Sequence, residues 1–270
     1  MTKDLKIFVV LIGLMLAFAS CTEYSKALKS NVPDKKFDMA LKLYNDGQCI
    51  KAMPLWEELI GLTRGTQKAE DVYYYYAKTQ FCAHDYYLAN YYFKNFAKTF
   101  STSKKAEECQ FLAAYCSYNL SPEYTLDQAD TKTAINELQL FLDLYPTSPL
   151  KDSANHMIEN LNKKLEIKDF ENAKLYFTTE KYKAAVNALK EFSNNYPSST
   201  YKEQALFLTV KSYYLYAEGS IPEKKLERYR AATESYITFA TAFPESRLLK
   251  DAEVYYEKSR KQIERMSASN

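Results

Sequence analysis

One phrase occurs four times along the chain and decides most of what it can fold into. It is FLDLYPTSPLKDSA from Phe141 to Ala154, FSNNYPSSTYKEQA from Phe192 to Ala205, FATAFPESRLLKDA from Phe239 to Ala252 and, in altered form, FAKTFSTSKKAEEC from Phe96 to Cys109. A residue that precedes proline is pushed out of the α region, so Tyr145, Tyr196 and Phe243 mark helix ends. Capping signals follow at once. Ser148 ahead of Pro149 predicts an N-cap with proline in the first helical position, and Thr200 with Glu203 predicts a capping box. Each copy is therefore a boundary between two helices.

The helix before each boundary has its own pattern. A small residue is followed four positions later by a large one and three later by another: Ala52/Trp56/Leu59, Ala89/Phe93/Phe96, Ala134/Leu138/Phe141, Ala185/Leu189/Phe192 and Ala232/Tyr236/Phe239. This i, i+4, i+7 spacing puts all three on one helix face, where the small residue lets a partner helix approach closely. The order resembles the tetratricopeptide repeat, a helix hairpin of about 34 residues. That resemblance implies an all-α, right-handed solenoid of about five hairpins over residues 35–266. The later alanines are spaced more widely than the repeat requires. The excess is expected as loops at 121–130 and 218–228, and as a lengthened helix from Pro149 to Thr178, roughly 45 Å long at 1.5 Å per residue. A charged amphipathic helix from Asp251 to Met266 is expected to cap the array, with a frayed tail at 267–270.

The first twenty residues look like an address. Lys3 and Lys6 precede an apolar run from Ile7 to Ala19, the length of a signal-peptide core and short for a membrane span. Ala19 and Ser20 before Cys21 resemble a bacterial lipoprotein signal, which implies cleavage after residue 20 and a covalent diacylglycerol and N-acyl chain on Cys21; a plain secretory signal is the alternative. Thr22 after the cysteine favours, by that resemblance, the outer membrane. Residues 21–34 are expected to be a lipid-anchored tether.

Charge and chemistry narrow the function. Lys and Arg total 36 against 34 Asp and Glu, without the concentrated basic face that a nucleic-acid partner needs. His84 and His156 are the two histidines, in a turn and on a helix of different repeats, so no metal quartet or catalytic triad can be assembled from them. No glycine-rich phosphate loop is present; the expectation is a protein that is not an enzyme, without metal or further cofactor. Cys109 and Cys116 lie seven apart on one helix, beyond disulfide reach. Buried free thiols are favoured for Cys82 and Cys116, on the inner faces of first helices, with Cys49 and Cys82 able to pair only if stacking brings them together.

Tyrosine is the compositional oddity, at 25 residues. Tyr73 to Tyr76 are consecutive, and in a helix they point all around the axis. In tetratricopeptide-like arrays the first helix of each hairpin lines the groove. Matching positions puts Phe37, Leu41 and Tyr44 from the first repeat beside Tyr74, Lys78 and Phe81 from the second. An aromatic wall with a few polar tips suits an extended peptide that itself carries aromatics. The alternative is that these rings pack between neighbouring helices.

Signal, tether, repeats and the F-x-x-x-Y-P-x-S phrase, most closely from Thr133 to Ala205, together resemble the BamD family of β-barrel assembly lipoproteins. The resemblance implies a non-catalytic scaffold on the periplasmic face of the outer membrane. Its implied partners are the periplasmic domains of the barrel-forming (BamA-like) assembly protein, docked on the later repeats, and unfolded outer membrane proteins, whose aromatic-ended C-terminal signals would meet Tyr44, Tyr74 and Phe81, with Lys78 near the terminal carboxylate. Two other classes compete. One is a glycan-binding outer membrane lipoprotein on the same scaffold, which a single tryptophan and the lack of an inserted domain disfavour; the other is an enzyme within the solenoid, which lacks a nucleophile or metal set.

Overall fold

The computed structural model describes residues 23–268, and its described residues form twelve helices. After a short helix α1 at 23–28 come α2 (Pro33–Asn45), α3 (Cys49–Leu62), α4 (Ala69–Cys82), α5 (Tyr86–Thr99), α6 (Ala106–Leu120), α7 (Ala129–Leu144), α8 (Lys151–Thr178), α9 (Tyr182–Asn195), α10 (Lys202–Glu218), α11 (Pro222–Ala242) and α12 (Leu249–Ala268). No strand occurs among the described residues. The helices pair in order as hairpins, the tetratricopeptide-like arrangement of an all-α solenoid. The chain divides into two compact units. One holds the described residues up to Pro122 with Asp127–Leu161, the other Glu123–Leu126 with the residues from Asn162 onward.

The repeated phrase forms the same turn each time. Tyr145, Tyr196 and Phe243 are C-caps, and so is Phe100 in the copy without proline. Seven residues after each leading phenylalanine stands a serine. The Oγ of Ser103, Ser148, Ser199 and Ser246 accepts the backbone N–H two residues on, at 3.0–3.1 Å. This corrects two cap expectations. α8 starts at Lys151 rather than Pro149, and the capping role expected of Thr200 with Glu203 belongs to Ser199, since α10 starts at Lys202. A side-chain acceptor inside the turn satisfies an orphan N–H without proline, which is why the copy with Ser101 in the place of proline folds alike.

Within hairpins a second turn recurs. Gly47, His84 and Glu180 take the left-handed conformation at φ of 72°, 60° and 59°. The next residue's N–H reaches back to Leu43, Gln80 and Tyr176 respectively, closing a Schellman turn. His84 is thus a turn residue, its ring against the Tyr86 hydroxyl at 3.0 Å.

The small–large–large face is the core. Ala52, Ala89, Ala134, Ala185 and Ala232 are fully buried, as are Trp56, Phe93, Leu138 and Leu189 and all five residues three positions further on. Burying one such large side chain is worth about 1.5–3 kcal/mol. Tyr236 is the exception; it is half-buried and stacks on Tyr256 of α12 at 4.5 Å. In the first unit these faces build three clusters, over α1–α4, α4–α6 and α6–α8. In the second unit they build two, over α8–α10 and α10–α12.

Several expectations are corrected. Residues 21–34 are not simply a tether: 23–28 are helical, Ala27 is buried in the first cluster with Tyr24 and Leu28 against it, and α2 begins at Pro33. Buried Lys36 holds this segment, donating to the Leu28 carbonyl and to Glu58 of α3. Apolar contact and a paired lysine outweigh the polar composition that read as extended chain. Cys82 is not a free thiol; it bridges to Cys49 across α3 and α4, with Cα atoms 6.0 Å apart. The expected loop at 218–228 is mostly helix, because Pro222 sits in the first turn of α11. Ser267 and Ala268 of the expected tail continue α12. The signal at 1–20 and Cys21 lie outside the described residues.

Candidate functional site

Three first helices, α2, α4 and α6, stand side by side in the first unit, and the i, i+4, i+7 faces of α2 and α4 carry the candidate residues. Phe37 meets Trp56 edge-on at 5.3 Å and Tyr75 at 6.2 Å. Tyr44 meets Tyr75 at 5.7 Å, and Tyr75 meets Tyr74 at 5.2 Å. A continuous row of rings therefore runs from α2 to α4, each half-buried. Edge-to-face contacts of this kind are worth about 0.5–1.5 kcal/mol beyond burial.

Beyond Tyr74 the row becomes polar. The Tyr74 hydroxyl donates to Glu108 Oε2 at 2.9 Å, and Lys78 donates to Glu108 Oε1 at 3.0 Å. Lys105 pairs with Asp71 and covers the Tyr74 ring, its Nζ 4.8 Å from the centroid. Burial and the Glu108 carboxylate both hold the Tyr74 phenol well above its usual titration range. It stays a neutral donor, and Glu108 takes two donors from α4.

The sequence-predicted residues are not all in one place. Phe37, Tyr44 and Tyr74 share the row, and Lys78 lies beside Tyr74. Leu41 packs on the first core cluster. Phe81 sits toward the other end of α4, against Tyr86, Phe93 and Tyr115 at 5.6–6.3 Å. The run Tyr73–Tyr76 turns in as well as out, since Tyr76 is buried against Tyr92 at 4.5 Å and Tyr73 meets Phe100 at 5.9 Å. Lys78, expected near a ligand carboxylate, is paired with Glu108 in this structure.

Two residues of the site escape sequence reasoning. Tyr75 links α2 to α4 and stacks on Trp56 at 5.7 Å, but it lies one position off the i, i+4, i+7 frame. Glu108 is one of two acids in the first turn of α6, where a favourable helix-dipole position explains it equally well. Its distance in sequence from Lys78, about one repeat, was the available signal.

No helix among the described residues is long and apolar enough to cross a membrane, and no group of three or more His, Cys, Asp or Glu there could hold a metal ion. Helix hairpins in sequence order, joined by one recurrent turn and presenting first helices along a wall, define a tetratricopeptide-type scaffold. Residues 30–225 match the YfiO model, described as an outer membrane lipoprotein, and the chain belongs to that family. A protein of Aquifex aeolicus (strain VF5) named for outer membrane protein assembly factor BamD is 26% identical over 233 residues, covering 84% of this chain and 73% of that protein. Among solved structures, the TPR2AB domain of yeast Sti1, from a complex with pHSP90, matches at a TM-score of 0.41 and 18% identity, over 84% of this chain and 98% of that one.

Proposed function

We propose that the protein is a non-catalytic scaffold of outer membrane protein assembly, anchored at the periplasmic face by lipid on Cys21. It binds the barrel-forming assembly protein and the aromatic-ended C-terminal signals of unfolded outer membrane proteins. Family membership and the Aquifex relative's name support the assembly role. The observation that supports client binding is the row Phe37, Tyr44, Tyr75 and Tyr74 across two first helices. An extended segment presents alternate side chains to one side, and half-buried ring edges offer them apolar contact at low entropic cost. Leu41 supports the wall from the core side, Phe81 packs further along α4 against the second cluster, and Lys78 with Glu108 fixes the Tyr74 hydroxyl.

Tyr44 is the cleanest test, because it touches Tyr75 and belongs to no core cluster. Tyr44→Ala should weaken binding of a fluorescent peptide ending in phenylalanine by about fivefold or more, the threshold of about 1 kcal/mol for an anchoring residue. Helical circular dichroism should stay unchanged, and the thermal midpoint should fall only by the few degrees that one edge-to-face ring contact is worth. Equal affinity of the variant and the parent would remove the row from the client site.

A further inference from the structure

The two most exposed large apolar side chains among the described residues are Ile50, at 76%, and Tyr87, at 75%. Both belong to the first unit and to one edge of it. Ile50 follows Cys49 at the start of α3, and the bridge from Cys49 to Cys82 brings that start to the end of α4. α5 begins four residues after Cys82, and Tyr87, Leu88 and Tyr91 face solvent over its first turns. Tyr87 and Tyr91 lie one helical turn apart on one face. None of these four side chains belongs to either core cluster of the two hairpins, so the fold does not require them to be apolar.

The described chain starts beside the same edge. α1 runs antiparallel to α2, since Lys36 donates to the Leu28 carbonyl while Lys42 pairs with Glu23 at 3.9 Å. Lys42 is in the last turn of α2, just before the turn that leads into α3 and Ile50. Cys21 precedes Glu23 by two residues, a reach of at most about 7 Å of extended chain. A lipid on Cys21 would therefore bring this edge to the bilayer, and not the opposite one, where α3 ends at Leu62 and α4 starts at Ala69.

We propose that the edge formed by the α2–α3 and α4–α5 turns rests on a lipid surface, with Ile50, Tyr87, Leu88 and Tyr91 seated in the headgroup region. The inference rests on the reading of Cys21 as lipid-bearing and adds a direct contact between protein and bilayer. Tyrosine favours the boundary of hydrocarbon and water, where its ring is covered and its hydroxyl stays wet. Lys42 and Lys51 are exposed on this edge, and Asp46 and Asp85 of the two turns offset them, so apolar side chains carry the contact. Side chains of this kind enter the headgroup and acyl boundary by about 5–10 Å, a depth that leaves the turns themselves in water.

The test uses the full lipidated chain in vesicles of phosphatidylethanolamine and phosphatidylglycerol, with and without lipids brominated near the headgroup end of the acyl chain. Tyr87→Trp puts a reporter on this edge and Leu62→Trp puts one on the opposite edge; the native Trp56 is fully buried and supplies the background. Emission of Tyr87→Trp should fall in brominated vesicles, while the parent and Leu62→Trp keep theirs. Adding Ile50→Ser and Tyr91→Ser to Tyr87→Trp should abolish most of that loss. Equal quenching of the two reporters, or a loss that the serine substitutions leave unchanged, overturns the assignment and leaves the anchor standing. So does an unquenched Tyr87→Trp in a chain whose mass shows acyl chains on Cys21. An unquenched emission that shifts with protein concentration would show a second copy of the chain on this edge instead. If Cys21 carries no acyl chain and the vesicles do not retain the protein, the anchoring reading falls and this assignment falls with it.

Discussion

The Cys49–Cys82 bridge joins α3 to α4 and so ties the first hairpin to the second, across a sequence separation of 33 residues. Its worth can be worked from that separation. Closing a loop of about 34 residues removes about 12.6 cal/mol/K from the unfolded chain, or about 3.8 kcal/mol at 25 °C. Cys49→Ala with Cys82→Ala should lose most of this, since alanine replaces each sulfur with little change in packing. Repeat arrays open unit by unit, so a global probe would blur the effect. The chain supplies a local one, because its single tryptophan, Trp56, is fully buried in α3 and stacks on Tyr75 of α4. Urea unfolding followed by tryptophan fluorescence should show the midpoint falling by about 1–4 M, for slopes of about 1–3 kcal/mol/M. Reduction of the parent should reproduce the shift. A loss below about 1 kcal/mol by both routes would refute the loop-entropy argument for this bridge.

Two further outcomes follow from buried groups. Glu137 of α7 accepts from Asn90 Nδ2 at 2.9 Å and Ser117 Oγ at 2.8 Å and pairs with Lys94, so Glu137→Ala should cost about 2–3 kcal/mol in urea unfolding and Glu137→Gln clearly less. Burial pushes the Cys109 and Cys116 thiols up to about 12 from 9.0. The folded chain therefore holds protons that the unfolded chain has released, and stability should fall as pH rises from about 9 towards 12; in the same window, thiol reagents should label both residues only after unfolding. Flat stability across that range, or fast labelling of the native protein, would contradict the burial of these thiols.

The sequence made the helix ends legible because a proline boundary and a small–large–large face are local or periodic signals. Tyr145, Tyr196 and Phe243 cap helices for the reason read from the residue after them, and the five alanines are buried as their spacing requires. What escaped depends on contacts between distant residues. Nothing local in residues 23–28 shows that Ala27 has a pocket or that Lys36 will donate to Leu28. Cys82 pairs because hairpin stacking brings α3 and α4 to disulfide distance, a property of the array rather than of either helix. The candidate site divides the same way. Phe37, Tyr44 and Tyr74 follow from helical spacing, whereas Tyr75 and Glu108 enter through neighbours about one repeat away in sequence.

The Lys78–Glu108 pair gives the first unit a built-in competitor. Glu108 is held on the same scaffold as Lys78 and Tyr74, so it acts at the effective concentration of a tethered ligand, on the order of millimolar or above. Any incoming carboxylate must displace a partner that never diffuses away. Stray acidic peptides at micromolar levels would be screened out, and an extended segment bound as proposed would gain its foothold here through its apolar side chains.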